Sequence, residues 1–219
     1  MNEEGGVNPR DTKSAKRPRD AEATRGALLE RATREFAERG YDGARIDEIA
    51  HQAGINKRMI YAYFGDKDGL YLAVLDACLT QALELAREEA VPVVAPLRQR
   101  AEAIIRRFFA YLALHPDFVR LLGWETLARD RRGRSILLSR LETGLEPLRA
   151  IVRRGIREGA FRSDLDPRAF VLAVNAMLLG YFTQRHLVEA LWKTSLESPA
   201  AGEAVLRQFL HILLDGIGA

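Results

Sequence analysis

The sequence predicts an all-α protein of two helical domains. Apolar residues recur at i, i+3, i+4 and i+7 in nearly every segment after residue 22. No stretch of any length alternates with the period of a strand, and no internal repeat is visible. Residues 46–64 read as two short helices around a tight turn, the second carrying exposed cations and aromatics.

In chain order, Leu28, Leu29, Ala32 and Phe36 repeat at helical spacing. Thr24 is the expected N-cap of that helix, Gly40 its end, and Tyr41-Asp42-Gly43 a short connection. Ile46, Ile49, Ala50 and Ala53 lie on one face of the next helix, with Ala50 small where another helix must cross. Gly54 can take φ > 0 and end it at little steric cost. Ile55 plugs the space between the two helices. The side-chain oxygen of Asn56 suits an N-cap for the helix Lys57 to Phe64. Ile60 and Phe64, four apart, point inward, which leaves Lys57, Arg58, Met59, Tyr61 and Ala62 toward solvent.

A helix of this kind can lie in the major groove with its N-terminal residues on base edges. Lys57 and Arg58 suit guanine acceptors or phosphate, and Met59 a thymine methyl. The hydroxyls of Tyr61 and Tyr63 suit phosphate oxygens. Gly65-Asp66 breaks the helix, and Asp66 can cap another that starts at Lys67. A lysine in a first turn opposes the helix dipole. Lys67 therefore reads either as a phosphate ligand or as an ordinary solvated lysine.

Phe36, Gly40-Tyr41, Ile49-Ala50, Ala53-Gly54-Ile55, Lys57, Tyr61-x-Tyr63-Phe64, Lys67 and Leu70 closely resemble the TetR family of transcriptional regulators over about residues 22–75. The resemblance implies an all-α homodimer with an N-terminal three-helix helix-turn-helix DNA-binding domain and a C-terminal helical ligand-binding and dimerisation domain. It implies a one-component bacterial regulator, usually a repressor released by a small molecule. The family often has Thr and then Ser or Thr where this chain has Ala44 and Arg45. Ala44 offers no hydroxyl to cap the second helix or touch phosphate. Arg45 offers a longer, charged reach to phosphate or the minor groove.

Of 219 residues, 33 are Lys or Arg and 30 Asp or Glu, so the net charge of +3 says little about nucleic acid. Placement says more: residues 10–19 hold five cations against one acid. Residues 1–21 read as a disordered basic arm that adds phosphate or minor-groove contacts, or as a tail without a role. Residues 22–66 form the DNA-binding domain and 67–219 the helical effector-binding and dimerisation domain. One cysteine, Cys78, excludes an intrachain disulfide and reads as a buried inert thiol. No signal peptide is visible, and the longest apolar run, Ala169–Phe182, is too short for a bilayer. A cytoplasmic protein without membrane attachment is expected.

Helices are expected over Lys67–Glu89, Leu97–Leu114, Asp117–Arg129, Ser135–Glu158, from Pro167 to about His186 or beyond, and Gly202–Ile217. Arg129–Arg134 reads as a polar turn. Two helices are too apolar for a monomer. Phe170, Val171, Leu172, Val174, Met177, Leu178, Leu179, Tyr181 and Phe182 cover most of one circumference, and Leu206, Phe209, Leu210, Leu213, Leu214 and Ile217 a broad stripe of the other. Homodimerisation through 167–186 and 203–217 is the expectation, with burial inside one subunit the alternative. A pocket for a hydrophobic or aromatic effector is expected from Phe108, Tyr111, Leu121, Trp124, Glu125, Asn175, Met177 and Tyr181, with Trp124-Glu125 the favoured pair.

The four histidines, His51, His115, His186 and His211, have no metal spacing, and no Gly-rich phosphate loop or nucleophile elbow occurs. An enzyme, a cofactor and a metal are not expected. The partners expected are a double-stranded DNA operator and a small-molecule effector. A regulator without an effector, or an activator, is the alternative.

Overall fold

A computed structural model describes residues 18–85, 94–128 and 133–218, with side chains from residue 22 onward except that of Leu85. Its helices are α1 (Pro18–Gly43), α2 (Ile46–Gln52), α3 (Lys57–Phe64), α4 (Lys67–Leu85) and α5 (Leu97–Leu114). They continue with α6 (Pro116–Leu127), α7 (Arg134–Arg157), α8 (Pro167–Trp192) and α9 (Pro199–Leu210). A π-helical turn, His211–Asp215, follows α9. An isolated bridge between Phe161 and Gly218 is the one β-feature among the described residues.

The headpiece is built as its periodicity dictates. Leu28, Ala32 and Phe36 of α1 close on Ile49 and Ala50 of α2 and Ile60 of α3, all buried. The same core takes Leu70, Tyr71, Val74 and Leu75 from α4 and Leu121 from α6. Packing is therefore continuous across residues 66 and 67. Gly40 breaks the helical path of α1 at φ 66°, ψ 178°, a conformation essentially restricted to glycine. A Cβ there would also lie 3.1 Å from the Trp124 ring. Gly54, at φ 66°, turns the chain between α2 and α3.

Asn56 Oδ1 accepts the Arg58 N–H at 2.9 Å, and Asp66 Oδ1 accepts the Gly69 N–H at 2.7 Å, so both expected caps form. Asp166 caps α8 in the same way through Arg168 N–H, with Pro167 in its first turn. Thr24 is not a cap: α1 starts six residues earlier, at Pro18, inside the stretch read as an arm. Residues 1–17 of that arm lie outside the described residues, as do 129–132 of the polar turn and the far end of the helix expected over Lys67–Glu89. The last helix starts at Pro199, capped by Ser198 Oγ accepting the Ala201 N–H at 3.1 Å, rather than at Gly202.

The C-terminal core gathers Ile105 and Leu112 of α5, Val152 of α7, Val174 and Leu178 of α8, and Leu214 beyond α9. Burial inside one subunit, the alternative for the two most apolar helices, accounts for much of their apolar surface. Phe170, Val171, Val174, Leu178 and Phe182 are buried inside the subunit, and so are Leu206, Leu210, Leu213, Leu214 and Ile217. Their apolar faces are covered within the subunit, α8 by α5, α6 and α7 and α9 by α5, partners that the periodicity of one helix does not show. Leu172 of the expected set stays exposed on α8, together with Leu187, Leu191 and Trp192, as does Ile212 just past α9.

Candidate functional site

The headpiece presents α3 on its outside. Arg58 and Tyr61 are exposed there, as are Lys57 and Asn56, while Met59 is half-buried. Arg58 and Arg45 have no ion-pair partner among the described residues, so both guanidiniums face solvent unneutralised. Lys57 Nζ lies 3.0 Å from Asp47 of α2, and this carboxylate holds the ammonium pKa above its ordinary value. Lys57 thus carries a local counter-ion that Arg58 lacks. The Asn56 oxygen is used by its cap, which leaves its amide NH₂ outward.

Two expected phosphate ligands are engaged inside the headpiece. Tyr63 is half-buried against the core, its ring 6.2 Å from that of Phe64. Lys67 Nζ donates to the Ala44 carbonyl at 2.7 Å and stands 4.6 Å over the Tyr41 ring. It closes the end of α1 against the start of α4, with the cation on an aromatic face.

The entry to α2 was the part of the motif least like its relatives. Its N-cap, Arg45, makes no side-chain cap. Glu35 of α1 takes over: only 2% exposed, it accepts the Arg45 N–H at 3.2 Å and pairs with Arg39 Nε at 3.3 Å. The reading from sequence passed over Glu35. Its signal was a carboxylate between Ala32 and Phe36 on an otherwise apolar face.

In the C-terminal domain a cavity of about 450 Å³ lies among α4 to α8. Leu79 and Leu83 of α4, Phe108 of α5, Leu141 and Leu145 of α7 and Asn175 of α8 stand in its wall. Of the expected ligand residues, Phe108 and Asn175 are brought together there; the other six are not. Trp124 and Glu125 instead join α6 to the headpiece. Trp124 Nε1 donates to the Ala37 carbonyl at 3.1 Å, and Glu125 accepts the buried Tyr71 hydroxyl at 2.7 Å. Leu121, fully buried, belongs to the headpiece core.

Tyr111 donates to the Cys78 carbonyl at 3.1 Å, and burial pushes its phenol pKa upward. Tyr181 stacks on Phe109 at 5.4 Å and donates to the Leu196 carbonyl at 2.9 Å, while Met177 packs on the core. Tyr111, Trp124, Glu125 and Tyr181 found partners on other helices. The aliphatic leucines, which carry no distinctive signal, made the cavity. Burial raises the Cys78 pKa, which keeps the thiol protonated and suits a structural thiol. No cluster of His, Cys, Asp and Glu that could hold a metal occurs among the described residues, and among them no helix is long and apolar enough to cross a membrane.

A helix-turn-helix head fused to a helical domain with a cavity is the architecture of a DNA-binding regulator. Residues 28–74 match the family model for bacterial regulatory proteins of the tetR family, and residues 98–212 the tetracyclin repressor-like C-terminal domain. The chain belongs to the TetR family of transcriptional regulators. It is 29% identical over 210 residues to the HTH-type transcriptional repressor NicS of Pseudomonas putida, covering 94% of this chain and 97% of that one. Among solved structures it is similar to a ketosteroid transcriptional regulator of Mycobacterium tuberculosis, with TM-score 0.68, 26% identity and coverage of 89% and 95%. The regulator FadR of Bacillus subtilis, solved with stearoyl-CoA, shares the fold at TM-score 0.72 and 23% identity, with coverage of 88% and 98%.

Proposed function

We propose that the protein is a repressor that binds a two-fold symmetric DNA operator as a homodimer and is released by a small apolar effector. Arg45, Asn56, Lys57, Arg58, Met59 and Tyr61 form the DNA surface, with Arg58 reading bases and Arg45 and Tyr61 holding phosphate. Lys67 and Tyr63 support that surface from behind.

The observation that carries this reading is the course of α4. Its first turns supply Leu70, Tyr71 and Val74 to the headpiece core, and its later turns supply Leu79 and Leu83 to the cavity wall. A ligand that fills the cavity presses on the element that holds α3. Trp124 and Glu125 give α6 a second hold on the head.

Dimerisation is read from the exposed stripe Leu172, Ala176, Thr183, Leu187 and Leu191 on α8, with Ile212 beyond α9. Exposed apolar residues at helical spacing on one face suit a second copy of the same surface. In a two-fold dimer the recognition helices stand about one helical turn of DNA apart, roughly 34 Å. The test is fluorescence anisotropy with the DNA upstream of the protein's own gene, repeated across a panel of apolar ligands. Release by a ligand, with DNA weakening that ligand's binding by the same factor, supports the reading. A ligand that fills the cavity and leaves DNA affinity unchanged leaves a regulator without effector control.

A further inference from the structure

We propose that the effector is an amphipathic anion: an extended apolar body seated among the cavity leucines, with a carboxylate or phosphate head held between Arg149 of α7 and Arg168 of α8. The proposal rests on the cavity being the effector site. Arg168, in its wall, is exposed, so the cavity reaches the surface at the start of α8.

The charge in the wall is one-sided. Its charged residues are Arg149 and Arg168, and no carboxylate lines it among the described residues. Arg149 pairs with Glu146 at 2.8 Å and donates to the Glu142 carbonyl at 3.2 Å. Glu146 is shared with Arg153, so two guanidiniums face one carboxylate and a positive charge is left over. The Arg149 Nε is buried and has no acceptor among the described residues. A buried donor of this kind is satisfied when a ligand brings an oxygen.

Arg168 has no ion-pair partner among the described residues and sits in the first turn of α8. Asp166 already caps the helix end, so an anion beside Arg168 answers the guanidinium itself. The same charge disfavours a cationic ligand. Apart from Thr126 and Asn175 the rest of the wall is apolar, mostly aliphatic with Phe108 and Phe118, and Leu79, Leu83, Leu141 and Leu145 offer no hydrogen bond. It selects an apolar chain rather than a polar ring.

The test compares dodecanoate, dodecanol, dodecyltrimethylammonium and dodecanoyl-CoA on the full chain, below their critical micelle concentrations. Each competes with the neutral dye N-phenyl-1-naphthylamine. Dodecanoate or dodecanoyl-CoA is expected to bind at least ~10-fold more tightly than dodecanol, on the scale of one charge-assisted hydrogen bond, and the ammonium more weakly than dodecanol. Lengthening the acid from ten to twelve carbons should tighten binding roughly 15-fold, from the burial of two methylenes.

Arg168→Gln, at an exposed position that spares folding, and Arg149→Gln should each cut the anion's advantage and leave dodecanol unchanged. Preference for the thioester over the free acid assigns a phosphate head, and the converse a carboxylate. Equal binding of acid and alcohol, or an advantage that survives both arginine variants, overturns the proposal. Leu145→Trp separates the two levels. If it expels the dye and the acid shows no advantage, the cavity stands and the anion falls; if the dye never binds, the cavity reading itself fails.

Discussion

Lys57 and Arg58 are adjacent on α3 but differ in what they have left to give. Lys57 faces Asp47, while Arg58 has no counter-ion among the described residues. Arg58→Ala should therefore cost about 1–3 kcal/mol at the base pair it reads and relax preference there. Lys57→Ala should cost less, because forming a DNA contact first breaks an ion pair. Binding to a set of single-base operator variants checks both.

Lys67 is tested separately. With its ammonium on the Ala44 carbonyl, Lys67→Ala should lower headpiece stability by about 1.5–3 kcal/mol, the range for hydrogen bonds to charged groups. It should leave the salt dependence of DNA binding unchanged. Thermal melts and a salt titration decide, and a slope reduced by about one would return Lys67 to the phosphate. Because burial raises its pKa, Cys78 should alkylate far more slowly at pH 8 in the native protein than in urea, as read by mass spectrometry. At this scale the sequence is legible where the partner is local. The Asn56 and Asp66 caps reach two and three residues along the chain, whereas the carbonyl that takes Lys67 lies 23 residues away.

In the proposed mechanism the elements that matter most are α4 and α6. Both run from one core toward the other, and neither role shows in helical periodicity alone. Trp124 stood out in sequence as a mid-helix aromatic beside a carboxylate and was expected at the ligand. Its place is the bare backbone of Gly40, where the absent Cβ admits the indole. The oddity was real, but its cause was the junction of head and body. Trp124→Ala should destabilise the protein by about 1–3 kcal/mol, through lost packing and a lost hydrogen bond. It should also weaken the effector's grip on DNA affinity while leaving effector affinity nearly intact. Calorimetry and anisotropy with and without effector read the two effects separately. Cavity residues such as Leu83 and Leu145 were not legible, since aliphatic side chains on amphipathic helices look alike until the helices are assembled.

For the whole molecule, the fold class and order of helices were readable because glycine, proline and caps punctuate the chain. The face proposed for the dimer was not, because apolar periodicity shows that a face is buried and not against what. Leu206, Leu210 and Leu214 turn inward, and Leu187, Leu191 and Ile212 remain outside. Replacing both Leu187 and Leu191 by Glu should give a folded monomer by sedimentation and abolish tight operator binding. A variant that stays dimeric would move the interface elsewhere. The central claim is that two copies of α3 read one symmetric site. Hydroxyl-radical footprinting of the wild-type protein on the DNA upstream of its own gene tests it most directly. Two protected half-sites related by a two-fold axis are expected, with centres about one helical turn or a small multiple apart. Protection of a single, asymmetric half-site, or none above non-specific binding, would contradict it.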